Sequence, residues 1–504
     1  MFDFGNANEA QRAAISTAEG PVLITAGPGT GKTYTLVQRA IYLIQECGVQ
    51  PEHIFIATFT EKAAKELITR ITNELSSRGI PANIHEMYVG TFHSLCLRIL
   101  KEHMEYTRLR RNYRMLDAFD QQYLVFRNIH KLRNIPGMDE VLPEKTGAWN
   151  HARLICSYVN NLSEEMVSTD ELISDPDSSI KALGYLLMEY RKLLTEENLM
   201  DFSSIQTEAY HLLTENQAIL EELRSRISHI MVDEYQDTNY IQEQLVFLLA
   251  GEKNNICVVG DDDQGLYRFR GATIRNILEF PQKFSEGECR IIPLVINYRS
   301  NSDIVDFYNR WMATTDGAKF KFEWGRYRYD KTILPYEKTR LRSPAVIRLA
   351  AADDQDEWHY KILDFIHELK DAGKLTDYNQ IAFLFSSVKH SKVTALARFL
   401  EKNQINVYSP RSDMFFQRDE IRLVLGCMML LFPQYVRGLE NNEYEYLQDS
   451  HITYYRNCIV LANEYLQKPE HSALKKWMRH RGKEHALLTG TTDYAYSGLL
   501  DPCS

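Results

Sequence analysis

The chain has 504 residues, 44% hydrophobic and 25% charged, with a formal net charge of -10. Such a length exceeds what one hydrophobic core serves, and the composition excludes a disordered or collagen-like chain. The acidic total argues against a protein that coats nucleic acid by bulk attraction, so any nucleic-acid groove must be local. No apolar run reaches the roughly 18 residues of a membrane span. The opening MFDFGNANEAQ lacks the basic-then-apolar pattern of a signal peptide, so a cytoplasmic protein with no membrane partner is expected. The eight cysteines are scattered without a Cys-x-x-Cys pair, which suits a reducing compartment and argues against a zinc or iron-sulfur site.

In chain order, the apolar run PVLITA is followed by the glycine-rich GPGTGKT and by a helical pattern, TLVQRAIYLIQEC. The runs HIFIATF and MYVGTF follow, with the amphipathic EKAAKELITRITNEL between them. Continuous apolar strands alternating with helices indicate parallel sheets covered on both faces, hence an α/β fold. From about 105 to 199 the strand signal vanishes, and an all-helical insertion is expected there. HIMVDE and NICVVGD then resume the strand rhythm. The first α/β domain is therefore expected in two parts, 1–104 and 200–290. A second α/β unit is expected over 291–435, with strands in IIPLVINY, AVIRLAA and QIAFLFSS, and a second helical segment from 436 to 504. Basic clusters occur at Arg108 to Arg114, at Arg326 to Arg342 and at Lys475 to Lys483, each readable as a solvated face or as a local nucleic-acid contact.

The loop after PVLITA reads as a phosphate cradle. Ala26, Gly27, Gly29, Thr30 and Gly31 let successive backbone N–H groups turn inward at a helix N-terminus, Lys32 reaches the β- and γ-phosphates of ATP, and Thr33 ligates Mg²⁺. Ala26 stands where the usual pattern begins with glycine. An ATPase also needs an acid for the metal and one for the attacking water. HIMVDEYQDTN supplies both at a strand end: Asp233 on the metal side and Glu234 as general base.

Taken together, these segments resemble the UvrD/Rep/PcrA-like superfamily 1 DNA helicases, densely over about residues 4 to 300 and more thinly over 301 to 435. NEAQRAAI resembles the adenine-recognition segment, which places Gln11 on the base edge, and Arg39 of LVQRA matches a residue that packs on the base. ATFTEKAAKEL, GTFHSL and MDFSSI resemble successive strand-contacting motifs, VVGDDDQGLYRFRGA the coupling motif and NYRS the following arginine motif. The resemblance implies P-loop NTPase RecA-like sheets in two motor domains. It also implies an ATP hydrolase and helicase that moves 3′ to 5′ on single-stranded DNA in repair or replication restart. Bases stack on flat rings regardless of sequence, and Thr58, Phe59, Thr91, His93, Tyr267, Phe269 and Arg270 form the implied DNA track. Gln264 is placed to sense the γ-phosphate, and Arg299 to act as an arginine finger. Where the family's coupling motif carries serine and Gly-Trp, Gly265 and Arg268-Phe269 stand here. MFFQRDEIRLVLGCM resembles a segment that closes against DNA in the second domain.

The family's late motifs, a His-x-x-Lys-Gly-Leu-Glu segment and a Val-x-x-Thr-Arg helix, have no match, so the second motor domain is expected to be incomplete. Two further readings stay open: a DNA-binding, ATP-binding subunit that works with a protein partner such as a nuclease, and a piece of a longer helicase without unwinding activity.

Overall fold

The computed structural model describes residues 2–81, 83–265, 272–313, 327–337, 345–350, 355–388, 390–409, 416, 418–441 and 449–488. Six parallel strands form one sheet: β1 (Val22–Ala26), β2 (Ile54–Thr58), β3 (Tyr88–Thr91), β6 (His229–Val232), β7 (Ile256–Gly260) and β8 (Arg290–Leu294), in the order β3-β2-β6-β7-β1-β8. Every residue of β1, β2 and β7 is buried. Side chains alternate between two faces, as the period of a strand requires. Leu23, Phe55, Ala57, Val232 and Val258 belong to one core. Val22, Ile24, Ile54, Ile56, Met231 and Val259 belong to the other. Covering both faces is what turns these strands into uninterrupted apolar text.

Helices fill the crossovers. Helix α1 (Glu9–Ser16) starts at a capping box in which Asn8 and Gln11 exchange backbone N–H groups. Helix α2 (Lys32–Gln45) leaves the glycine-rich loop, α3 (Glu61–Ser77) is capped by Thr60, and α4 (Phe92–Glu102) is capped by Thr91. Thr91 thus ends a strand and starts a helix in one step.

Between α4 and β6 the chain builds a helical body with its own core, including Leu124, Val125, Ile155, Val159, Leu186 and Leu187. Its neck is a short parallel pair, β4 (Arg114–Met115) with β5 (Leu199–Met200), which the polar text around it did not announce. A buried polar knot fastens this body to the sheet. Asp201 caps the helix Phe202–Glu215 through a 2.7 Å bond from the Ser204 N–H. Its other oxygen accepts from the Tyr190 hydroxyl and from Gln121 Nε2. Tyr190 and Gln121 stand on helices of the inserted body, Ser178–Glu196 and α5 (Ala118–Arg127), whereas Ile205, Ala209 and Leu212 beyond the cap belong to the sheet's core.

The chain divides into two compact units, Met1–Val346 and Ile347–Ser504. The expected run IIPLVINY splits: β8 pairs with β1 in the main sheet, and β9 (Ile296–Asn297) pairs with β10 (Leu334–Pro335). In the second unit the described residues form helices only, among them Gln355–Asp371, Ser391–Lys402, Asp419–Leu430, Asp449–Gln467 and Ser472–Leu488. The expected strands AVIRLAA and QIAFLFSS carry no ladder among the described residues. Strand propensity is realised only beside a partner. Leu384 accordingly stands 92% exposed. The segment MFFQRDEIRLVLGCM is described at Phe416 and from Arg418 onward, where Asp419–Leu430 is helical.

Removing the carboxylate of Asp201 strips a helix cap and takes the acceptor from the buried Tyr190 hydroxyl, whereas Gln121 Nε2 keeps Asn160 and Tyr190, so Asp201→Ala should lower unfolding free energy by about 3 kcal/mol in a urea titration. Asp201→Asn, which still caps, should cost clearly less.

Candidate functional site

Ligands of open parallel sheets settle at the carboxyl ends of the strands. Here β1 lies between β7 and β8, and the glycine-rich loop leaves its carboxyl end. Gly29 and Gly31 adopt φ of +71° and +89°, which a side chain would strain. Each glycine is also pressed from outside. A Cβ on Gly27 would run into Ile333 Cδ1, one on Gly29 would meet Asn297 Nδ2 and Arg299 Cβ at 2.8 Å, and one on Gly31 would meet Gln11 Nε2 at 2.7 Å. Thr30 closes the turn with a 2.8 Å bond to the Gly27 carbonyl. Ala26, the last residue of β1, is fully buried, so its methyl occupies core and leaves the cradle's backbone free.

Sequence-distant residues converge on this loop. Gln11 Nε2 donates to the Thr30 carbonyl at 3.1 Å. Arg39, 2% exposed, donates to the carbonyls of Ala14 and Ala18 and so ties α2 to α1. Asn297 Nδ2 donates to the Pro28 carbonyl at 2.6 Å, and the Tyr298 N–H to the Gly29 carbonyl at 2.9 Å, which brings Arg299 beside Gly29.

Opposite the loop, β6 ends in the acidic pair. Lys32 Nζ lies 3.0 Å from Glu234 Oε2. Glu234 occupies the left-handed region at φ +51°, a turn that presents its carboxylate to Lys32. Burial first, then the neighbouring Glu234 charge, pushes the Asp233 carboxyl up to about 7, with Lys32 opposing. Gln264 donates to Asp261 Oδ2 at 2.6 Å. Gln236 joins the two halves: its Nε2 donates to Glu234 Oε2 at 2.7 Å, and its Oε1 accepts from the Asp261 N–H at 2.9 Å.

A second concavity, about 890 Å³, opens at the ends of β2 and β3. Thr58, Phe59, Thr91 and His93 all line it. Burial lowers the His93 pKa, favouring the neutral ring, which lies 5.6 Å edge-on from Phe202 and 3.2 Å from Gln206 Nε2. Thr58 Oγ1 and Asp237 Oδ1 are buried without a hydrogen-bond partner among the described residues, so the cavity wall holds polar atoms that an incoming ligand could satisfy. Tyr267, Phe269 and Arg270 lie outside the described residues.

Several lining residues had no residue-level signal in the sequence. Phe202 sits in the MDFSSI segment, but its ring is 58% exposed and faces the cavity, which only the fold reveals. Asn160, Asn161 and Glu164 come from the helical insertion and Asn239 from the turn after the acidic pair. Burial pushes Glu164 up to about 7, a hydrogen bond from Asn239 opposing and the charges of Glu165 and Asp201 adding.

The chain matches the UvrD/REP helicase N-terminal domain over residues 7–285 and the UvrD-like helicase C-terminal domain over 292–435. It belongs to the UvrD/REP helicase family. Among its relatives, the ATP-dependent DNA helicase PcrA of Staphylococcus epidermidis is 30% identical over 427 residues, 84% of this chain and 54% of that protein. PcrA of Staphylococcus aureus is 29% identical over 425 residues, covering 84% and 53%. The chain thus spans about half the length of the curated relatives it matches. The family and the six-stranded parallel sheet together give the chain a RecA-like P-loop architecture. No helix among the described residues is long and apolar enough to cross a membrane.

A carboxyl whose pKa is raised by folding binds its proton more tightly in the folded chain. Glu164 therefore adds stability below the ordinary glutamate value of 4.5, and that contribution is lost as pH climbs through about 7. Urea midpoints measured from pH 4 to pH 8 should show Glu164→Gln gaining on the wild type as pH rises; superimposable curves would remove the buried acid from the account.

Proposed function

We propose that this chain hydrolyses ATP at the loop of β1 and uses it to move along single-stranded DNA held in the neighbouring cavity. The reading assigns 3′ to 5′ movement and a role in repair or replication restart on the family resemblance. One observation carries the coupling: an unbroken chain of polar contacts from Lys32 through Glu234, Gln236 and Asp261 to Gln264.

In this reading Lys32 and the loop's N–H groups take the β- and γ-phosphates, Glu234 accepts the proton of the attacking water, and Arg299, beside Gly29, faces the charge that develops on the γ-phosphoryl group. Gln11 and Arg39 belong to the adenine end, supported by the position of Gln11 against Thr30 and Gly31. Thr33 and Asp233 offer the oxygens that would hold Mg²⁺, whose charge would neutralise the phosphate oxygens.

DNA bases are assigned to Phe59, His93 and Phe202, with Thr58 and Thr91 at the strand ends beneath them. Tyr267, Phe269 and Arg270 extend the track in the sequence reading. A junction between single and double strand, and a protein partner such as a nuclease, stay compatible with this assignment.

Phosphate release by the purified chain, with and without a single-stranded oligonucleotide, tests the reading. Lys32→Ala should abolish binding of a fluorescent ATP analogue, whereas Glu234→Gln should keep binding and lower turnover by about 10²-fold or more. Phe202→Ala should weaken oligonucleotide binding by about tenfold, the scale of one lost stacking contact. Turnover unchanged in Glu234→Gln, or no stimulation by DNA in the wild type, would sink the proposal.

A further inference from the structure

Asp261, Asp262 and Asp263 follow one another directly after β7, and all three side chains are shut away from solvent. Adjacent buried carboxylates repel unless a cation stands among them. Lys331, itself shut away from solvent, is that cation: its Nζ lies 2.6 Å from Asp261 Oδ1, donates also to Asp262 Oδ1, and is 3.5 Å from Asp263 Oδ2. Neighbours of Lys331 join in. Arg328 donates to Asp263 Oδ2 at 2.6 Å, the Tyr329 N–H donates to Asp262 Oδ2 at 2.8 Å, and Tyr308 adds its hydroxyl to Asp263 at 2.7 Å. Burial works against the lysine charge, but Asp261 and Asp262 outweigh it and hold the Lys331 pKa above the ordinary value.

The segment carrying Lys331 also touches the nucleotide loop. Ile333 packs on Gly27, and Leu334–Pro335 pairs with Ile296–Asn297, of which Asn297 grips Pro28 and the next residue, Tyr298, grips Gly29. Asp261, held by Lys331 on one oxygen, holds Gln264 on the other, while its N–H fixes Gln236 and through it Glu234.

We propose that Lys331 is a positioning residue for the hydrolysis site: through Asp261 and Gln236 it sets where Gln264 and Glu234 stand, so that displacement of the segment 327–337 reaches the γ-phosphate position. The inference rests on the hydrolysis reading above and adds to it a control element outside the motifs that carry the resemblance.

A double-mutant cycle separates this role from a general loss of packing. Lys331→Met and Gln236→Met should each lower DNA-stimulated kcat by about tenfold while the affinity for a fluorescent ATP analogue stays within about twofold, and the double variant should fall no further than the worse single one. Losses that multiply, or an unchanged kcat in Lys331→Met, overturn the proposal. Should Lys331→Met not fold, the cycle is run with Asp262→Asn added, which restores the net charge of the pocket. If the wild type releases no phosphate, the hydrolysis reading fails by itself, and hydrogen exchange then judges the latch. Lys331→Met must speed exchange in the peptides covering 260–264 and 234–237, and a change confined to 327–337 overturns it.

Discussion

The close approach of side chains to the bare backbone of the loop after β1 is the constraint from which the rest follows. A cradle of inward N–H groups works only if nothing protrudes from it, and here three glycines are each met by a different part of the chain: Ile333, the Asn297–Arg299 turn and Gln11. Those contacts bring residues as far apart as Gly27 and Ile333 onto one loop. They also place Arg299 beside Gly29, while Lys32 meets Glu234, although neither partner lies near the loop in the chain.

Charge is the second organising force. The net charge of -10 gives no sign of a nucleic-acid protein, and part of the reason lies inside the fold. Asp261, Asp262 and Asp263 meet Lys331 and Arg328 in a buried cluster, and Asp233, Asp237 and Glu164 are pushed toward neutrality by burial. Counting formal charges along the sequence overstates what a ligand at the surface would meet.

Much of the architecture was legible because burial on both faces writes parallel strands as apolar runs, and because a phosphate loop, an acidic strand end and a coupling motif each have a short-range chemical logic. Lys32 and Glu234 could be named as candidates for that reason, and Gln264, Thr58, Phe59, Thr91 and His93 from the family resemblance. Lys331 and Arg328 could not: within a basic cluster they read as a solvated face or a nucleic-acid contact, and only tertiary pairing distinguishes a buried counter-ion from either. Phe202, Glu164 and the knot of Gln121, Tyr190 and Asp201 were hidden likewise, since they act across elements that approach only after folding. In AVIRLAA and QIAFLFSS, local propensity spoke for strands while the described residues give them no neighbour to pair with.

The left-handed backbone at Glu234 sets the needs of the fold against those of the chemistry. A glycine or asparagine would sit there with less torsional strain, which for an ordinary residue amounts to about 1–2 kcal/mol. From that turn the Glu234 carboxylate offers Lys32 a charge as well as an acceptor, which neither glycine nor asparagine would. Directed evolution toward heat tolerance would therefore tend to erode this position, whereas selection for the proposed hydrolysis would retain it, so under that proposal thermal hardiness and turnover make conflicting demands on one residue.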